Sequence, residues 1–144
     1  MIKKIEIHVN YINTKTYLVS ISSRNRMRKF TEDIFERAIS VANKSTMVFK
    51  LGTVIVKNGE ILSEGYNHIS EYMCHQNSVH SEVHALYNLK KIHRNKKFLE
   101  DAVMLIVRVG NGKECHTMRM AKPCEECRKA IAKFGIRRVF YSDG

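Results

Sequence analysis

Residues 52–62, with the sequence GTVIVKNGEIL, predict a β-hairpin. One apolar run precedes the Asn58-Gly59 pair and a second run follows it. An Asn-Gly pair between apolar runs is the strongest short hairpin signal, because both central residues of the favoured turn need a positive φ. We therefore expect two antiparallel strands joined at this turn.

The segments around this hairpin alternate between helix and strand patterns. In chain order they predict helix 30–42, helix 80–92, strand 103–107, helix 123–134 and strand 139–141. The strand at 103–107 is entirely apolar, as in strands that helices cover on both faces. Because helical crossovers join parallel strands, this order predicts a three-layer α/β/α fold. Its mixed sheet should have an antiparallel first pair and parallel later strands.

The N-terminal residues have a pattern of their own. Residues 2–22 contain two alternating apolar runs on either side of residues 13–15, which predicts a further β-hairpin. We expect residues 1–25 to form this extension and residues 26–144 to form the main domain, within one compact unit. The hairpin could be an oligomer contact or could cover an exposed sheet edge. We also expect a homo-oligomer.

Length, composition and charge limit the classes of protein. The chain has 144 residues, of which 44% are hydrophobic and 27% charged, so it can bury a core. No stretch is as apolar as a signal-peptide core or a membrane span, and we expect a cytoplasmic protein without membrane contact. The net charge of +11 favours a phosphorylated substrate or a nucleic acid. The same cations could instead form a solvated surface, because they are spread along the chain.

Two short motifs predict a zinc site. HSE, at residues 80–82, begins the second helix, and PCEEC, at residues 123–127, begins the third. Cys124 and Cys127 lie one turn apart on the same side of a helix, which suits two bonds to one zinc ion. Alone, this pair could also be a redox pair or half of a structural zinc site. With His80 as a third ligand, the site leaves zinc one open position for water.

Glu82 independently supports a hydrolytic site. A helical wheel places it on the same face as Ala85, Leu86 and Leu89, where an unpaired carboxylate is costly to bury. A helix cap or an ion pair is the alternative explanation. Beside an activated water, this carboxylate would be available for proton transfer.

The zinc site carries one geometric requirement and has one rival. His80 and Glu82 lie about 200° apart on an ideal helix, so both can face one site only if His80 lies in the irregular first turn. The rival is a closed, structural site with His84 as the fourth ligand beside His80, Cys124 and Cys127. That rival would leave Glu82 without a role.

Two other features are weaker candidates for binding sites. Cys74-His75 and Cys115-His116 could form a second metal site, although such pairs are more often core or surface residues. Residues 137–141, RRVFY, could stack a base and hold phosphate, or could be a strand flanked by solvated arginines.

The two motifs resemble the H-x-E…P-C-x-x-C signature of the zinc-dependent nucleobase deaminases. The resemblance to the cytidine and deoxycytidylate deaminase superfamily covers residues 28–144, including GYN at 65–67 and GIRRVFY at 135–141. It implies a cytidine-deaminase-like fold, a Zn2+ cofactor on the three ligands named above, and Glu82 as the proton shuttle.

The same resemblance implies a substrate class and substrate contacts. The GYN and GIRRV segments look most like deoxycytidylate deaminases, which implies hydrolysis of a (deoxy)cytidine nucleotide such as dCMP. By this resemblance Asn67 would contact the sugar or base, and the loop Tyr141-Ser142-Asp143 would help to select the substrate. Separately, helix starts expose unpaired donors, so we expect backbone N–H groups near Ser81 or Cys124 to orient the base. The alternatives are an RNA or single-stranded DNA editing deaminase, similar to tRNA adenosine deaminases, and an inactive zinc-stabilised nucleic-acid-binding protein. Ser81 stands where the superfamily usually has alanine.

Overall fold

The computed structural model describes residues 4–5, 17–21, 32–70, 78–92, 95–115 and 117–143. The strands are β1 (Lys4–Ile5), β2 (Tyr17–Ile21), β3 (Lys50–Lys57), β4 (Glu60–Tyr66), β5 (His68–Ile69), β6 (Ser78–Val79), β7 (Val103–Val109), β8 (Met118–Arg119) and β9 (Arg138–Ser142). The helices are α1 (Glu32–Asn43), α2 (Ser81–Ile92), α3 (Lys96–Leu99) and α4 (Glu125–Phe134). The five helices and strands predicted around the hairpin at residues 52–62 are therefore present. The two- to four-residue elements β5, β6, β8 and α3 are too short to leave a periodic pattern and were not predicted.

The main sheet has the strand order β1-β2-β9-β7-β3-β4, with β8 paired to β7. Strand β3 is antiparallel to both of its neighbours, β4 and β7, whereas β7 is parallel to β9. Helices α2 and α4 provide the crossovers, one between β4 and β7 and the other between β7 and β9. The predicted mixed sheet is confirmed.

The turn between β3 and β4 has the predicted geometry. Lys57 pairs with Glu60, so Asn58 and Gly59 form a two-residue loop. Their φ angles are 51° and 79°, which lie in the left-handed region that Asn and Gly tolerate best. The local sequence therefore sets the register next to the turn, as far as the shift in pairing between Val56 and Ile55.

Helices cover both faces of the sheet. Val54 and Val56 of β3 pack in the cluster formed with α1, whereas Ile55 packs in the cluster formed with α2 and α4. This alternation follows from the two-residue repeat of a strand. The three-layer α/β/α prediction is confirmed, and Thr53 lies on the same face of β3 as Ile55, beneath α2.

The N-terminal strands extend the sheet beyond β9. Strand β2 is antiparallel to β1 and parallel to β9. The predicted pairing within residues 2–22 is confirmed for β1 and β2, and β2 covers the edge of β9. Residues 6–16 and the expected boundary at residue 25 lie outside the described residues, so the division into 1–25 and 26–144 stays a prediction.

Among the helices that the structure describes, none combines the length and the apolar character needed to cross a bilayer.

Glu64 on β4 joins the sheet to α1 through two cations. Arg37 Nε and Nη2 donate to its two carboxylate oxygens at 2.7 and 2.8 Å, and Lys44 Nζ donates at 3.0 Å. Burial raises the pKa of Glu64, but the hydrogen bonds and charges of Arg37 and Lys44 outweigh burial and lower this pKa overall.

We expect Glu64→Gln to reduce the free energy of unfolding by about 1 kcal/mol at pH 7, the upper end for an accessible ion pair. Because the folded-state pKa lies below the unfolded value of about 4.5, this stabilisation is complete above that value and is lost as the pH falls through the folded pKa. Urea unfolding measures the gap, which is the difference in the free energy of unfolding between Glu64→Gln and wild type. This gap should be smaller at pH 3 than at pH 7. The exposed Glu60→Gln variant is the control, and a gap that persists at pH 3 would contradict the assignment.

Candidate metal centre

The predicted metal ligands lie at the starts of two helices. His80 directly precedes α2, and its carbonyl oxygen accepts a hydrogen bond from the backbone N–H of His84 at 3.0 Å. Cys124 is the N-cap of α4, and its carbonyl oxygen accepts from the N–H of Arg128 at 3.0 Å. His80 therefore lies just before the regular helix, as the sequence required. The direction of its side chain is not set by the regular repeat of the helix, so it can face the same site as Glu82.

The three candidate ligands converge on one point. The ligand atoms of His80, Cys124 and Cys127 all lie within 4.8 Å of one another. His80 Nδ1 lies 3.6 Å from Cys124 Sγ and 3.3 Å from Cys127 Sγ. Tetrahedral zinc bonds of about 2.0–2.3 Å place nitrogen and sulfur ligands about 3.6 Å apart, so the donor set fits zinc. The described residues contain no other cluster of three or more such groups.

The environment of Cys127 also favours a bound cation. Burial raises the pKa of its thiol far above the usual range, and the nearby Glu82 carboxylate and Cys124 raise it further. A thiolate at this position therefore needs a compensating positive charge. Zinc would supply that charge, and the N-terminal end of α4 favours the same ionised form.

His84 is turned away from this cluster. Its Nδ1 accepts a hydrogen bond from the backbone N–H of Tyr66 at 3.2 Å, and its ring packs edge-on against Tyr66 and His68. Burial lowers the pKa of His84, which favours the neutral ring that can accept this hydrogen bond. The rival site with His84 as a fourth ligand is not formed, so the three candidate ligands would leave a bound zinc ion one open position.

Glu82 lies beside the ligands in the first turn of α2. Only 3% of its surface is exposed, and its Oε2 accepts a hydrogen bond from Ser81 Oγ at 3.1 Å. It shares the wall of a cavity with His80 and Cys124. The structure thus brings a buried carboxylate and three metal ligands to one place.

A close backbone contact positions the start of α2. A Cβ atom at Gly65 of β4 would lie 2.6 Å from the backbone oxygen of Ser81 and 2.8 Å from the carbonyl carbon of His84. No side chain fits at these distances, so glycine allows α2 to lie directly against β4. Because this contact sets the distance between β4 and α2, it also sets the positions of His80 and Glu82 relative to α4.

The cavity beside the ligands has a volume of about 560 Å³, within the usual range of small-molecule sites. Its walls come from the segment before β3, the loops around β5 and β6, the start of α2 and the segment before α4. The lining residues are Thr46, Met47, Val48, Phe49, Leu51, Asn67, Ile69, Ser78, His80, Ser81, Glu82, Lys122 and Cys124.

Asn67 lines the cavity, but its amide bonds to the protein backbone. Its Oδ1 accepts from the N–H of Leu51 at 2.8 Å, and its Nδ2 donates to the carbonyl oxygen of Phe49 at 2.6 Å. Asn67 therefore holds the wall that precedes β3. Its predicted contact with substrate stays a prediction.

Tyr141 is not brought to the cavity. The apolar pattern predicted Tyr141 as the last residue of a strand, whereas the resemblance placed it in a loop. Because β9 continues through Ser142, the strand prediction is confirmed and the loop position is wrong. Tyr141 pairs with Ile106 of β7 and is 1% exposed, because the sheet at this point is covered on both faces.

Ser81 does line the cavity, and its hydroxyl is buried against Thr53 and Glu82.

Sequence reasoning missed several wall residues. Val48 and Phe49 are 74% and 58% exposed at the cavity, and the Arg108 guanidinium lies 4.1 Å from the Phe49 ring. Among the described residues that line the cavity, Lys122 is the only lysine or arginine. In the sequence, the apolar pair Val48-Phe49 just before β3 could have indicated a binding surface. No local pattern, however, indicates that this pair lies near His80 and Cys124.

A model of a protein family, described as the cytidine and deoxycytidylate deaminase zinc-binding region, matches residues 28–143. The chain belongs to this family. Its cofactor is therefore zinc, with His80, Cys124 and Cys127 as the candidate ligands. The activity that this membership supports is zinc-dependent deamination of a nucleobase or nucleotide. A search of curated protein sequences finds no match to the chain.

Solved structures of several deaminases share the fold of this deaminase domain. The dCMP deaminase of cyanophage S-TIM5 is 23% identical with a TM-score of 0.52, over 79% of this chain and 86% of that one. The guanine deaminase of Bacillus subtilis is 24% identical with a TM-score of 0.51, over 81% and 65%. The cytidine deaminase of Burkholderia pseudomallei is 21% identical with a TM-score of 0.53, over 74% and 78%. The S-TIM5 enzyme has also been solved with dCMP and dUMP.

We expect Cys127→Ser to lose zinc, because two remaining ligands cannot replace a buried thiolate. The fall in affinity should exceed the roughly 10- to 100-fold that follows loss of an outer-shell partner. Zinc content after dialysis against a weak chelator measures the effect. Cys115→Ser is the matched control, since Cys115 belongs to no ligand cluster among the described residues, and equal zinc loss in both variants would refute the site.

Proposed function

We propose that this protein hydrolyses the amino group of a cytosine base in a (deoxy)cytidine nucleotide such as dCMP. The observation that carries the proposal is the buried Glu82 carboxylate beside three zinc ligands in the wall of a substrate-sized cavity. Family membership supports deamination, and the fold shared with a dCMP deaminase supports the choice of nucleotide.

Glu82 carries the proton transfers in this mechanism. When bound, zinc supplies water activation at neutral pH. Glu82 takes a proton from the attacking water as its oxygen adds to the amino-bearing ring carbon, and it passes this proton to the adjacent ring nitrogen. Glu82 then moves the remaining hydroxyl proton to the amino group, which leaves as ammonia. One C–O bond forms, one C–N bond breaks and one water is consumed.

The wall of the cavity provides the recognition. Met47, Phe49 and Leu51 offer an apolar surface for the base, and backbone N–H groups at the starts of α2 and α4 are donors for its polar edge. Lys122 is the cation available to an anionic group of the substrate, and it forms no ion pair with any residue in the described part of the chain. This arrangement favours a nucleotide over a nucleoside or a free base.

We expect Lys122→Met to lower kcat/KM for dCMP by about 10- to 100-fold, the effect of losing a hydrogen bond to a charged group. The kcat/KM for deoxycytidine should change little, because it lacks the phosphate. The comparison of the two substrates is the measurement. Lys113→Met, at an exposed lysine outside the cavity lining, is the control. An equal loss on both substrates would contradict the role in phosphate binding.

A polynucleotide substrate is the second candidate. The exposed Phe49 ring with Arg108 beside it could stack a base that flanks the target base, as aromatic residues do in single-strand binding proteins. The net charge of +11 favours the same class. Deamination of cytosine or adenine in a single strand, with weak activity on mononucleotides, would support this candidate.

Ammonia release from the zinc-loaded protein tests the proposal directly. The panel contains cytosine, adenine and guanine nucleosides and nucleotides together with single-stranded DNA and RNA. Release from dCMP or another cytosine nucleotide is the expected result. Release from polynucleotides alone would favour the second candidate, and no release from any member would overturn deamination by this protein.

A further inference from the structure

A buried chain of hydroxyl groups ends on the Glu82 carboxylate. Thr53 Oγ1 of β3 lies 2.8 Å from Ser81 Oγ, and Ser81 Oγ lies 3.1 Å from Glu82 Oε2. Thr53 and Ser81 are 0% exposed and Glu82 is 3% exposed, so water does not compete for these hydrogen bonds. The chain links the middle of the sheet to the carboxylate beside the metal ligands.

The polarity of this chain follows from counting protons. Ser81 Oγ donates its only hydroxyl proton to Glu82 Oε2. Ser81 can then only accept from Thr53, which makes Thr53 the donor at the far end. The Thr53 side chain points towards α2 because strand residues alternate between the two faces of the sheet.

We propose that Thr53 and Ser81 are positioning residues that fix the orientation of the Glu82 carboxylate. This inference rests on the proposed function, in which Glu82 moves protons. In this role the hydrogen bond from Ser81 to Oε2 restricts rotation of the carboxylate, which lies in the cavity wall, and so keeps it oriented for proton transfer. Thr53 acts one step further away, by holding the Ser81 hydroxyl in its donating direction. The alanine that is usual at position 81 in the superfamily has no hydroxyl and cannot make this link.

Steady-state kinetics of the zinc-loaded enzyme separates this role from a purely structural one. Ser81→Ala should lower kcat by about tenfold with little change in KM, the effect of one hydrogen bond to a charged group. Thr53→Val should lower kcat by a smaller factor, and Thr53→Ser, which keeps the hydroxyl, should restore it. In the Ser81→Ala background, Thr53→Val should have no further effect on kcat, because Thr53 acts only through Ser81.

Ser63 provides the matched control. Its buried hydroxyl donates to the carbonyl oxygen of Ala85 in α2 at 2.7 Å, but has no contact with Glu82. Ser63→Ala therefore removes a comparable hydrogen bond between the sheet and α2. It should lower thermal stability while kcat stays near the wild-type value. Equal losses of kcat in Ser63→Ala and Ser81→Ala would overturn the proposal.

An infrared measurement tests the same inference without turnover. The carboxylate stretch of Glu82 can be identified as the band that disappears in Glu82→Gln protein labelled with 13C-glutamate. This band should shift in Ser81→Ala, shift less in Thr53→Val, and stay in place in Ser63→Ala. An unshifted band in Ser81→Ala would overturn the positioning role even in an active enzyme. If the wild type released no ammonia, the proposed function would fail. The band position would still show whether Ser81 donates a hydrogen bond to Glu82.

Discussion

Glu82→Gln should abolish turnover, with a loss in kcat of about 1,000-fold, while zinc stays bound. The amide has nearly the shape of the carboxylate but cannot accept a proton, and general acid–base catalysis contributes about 10²- to 10⁴-fold. Zinc binding should persist because His80, Cys124 and Cys127 are unchanged. Ammonia release and zinc content, measured on the same preparation, give the two results.

The exposed Glu60→Gln variant is the matched control for this loss. It makes the same chemical change at the β3–β4 turn, outside the cavity lining, and should keep wild-type kcat. Glu82→Gln protein with unchanged activity would remove Glu82 from the mechanism. Loss of both zinc and activity in this variant would instead assign Glu82 to the metal site.

Gly65→Ala should strongly destabilise the fold and weaken the metal site. A Cβ at this position would lie 2.6 Å from the Ser81 oxygen, so the start of α2 must move away from β4. Overpacking of this kind costs about 1–3 kcal/mol, and a clash with helix backbone belongs at the upper end. Because His80 precedes α2, the same movement separates it from Cys124 and Cys127. We therefore expect lower stability and weaker zinc binding together, measured by urea unfolding and by metal competition.

Gly59→Ala separates this effect from the conformational preference of glycine. Gly59 has a φ of 79°, and a Cβ added there would have no other atom within 4 Å, so the variant is strained only by the left-handed backbone. That strain is about 1–2 kcal/mol and should leave zinc affinity unchanged. Unaltered zinc affinity in Gly65→Ala would show that the contact between β4 and α2 does not position His80.

The sequence by itself determined the features that depend on neighbouring residues. The Asn58-Gly59 turn followed from local φ preferences, and the spacing of Cys124 and Cys127 followed from the repeat of a helix. The mixed α/β order followed from apolar periodicity. In each case the physical cause acts within a few residues, so the pattern is visible in the chain itself.

Only the tertiary structure decided how distant segments meet. It turned His84 towards Tyr66 rather than towards the metal ligands, and it buried Tyr141 within the covered sheet rather than bringing it to the cavity. It also placed the hydroxyl of Thr53 against Ser81, 28 residues along the chain, and brought Phe49 to the cavity. These contacts depend on how helices pack on the sheet and on which loops then adjoin. Packing joins residues that share no local pattern, so their meeting leaves no signal in the sequence of either segment.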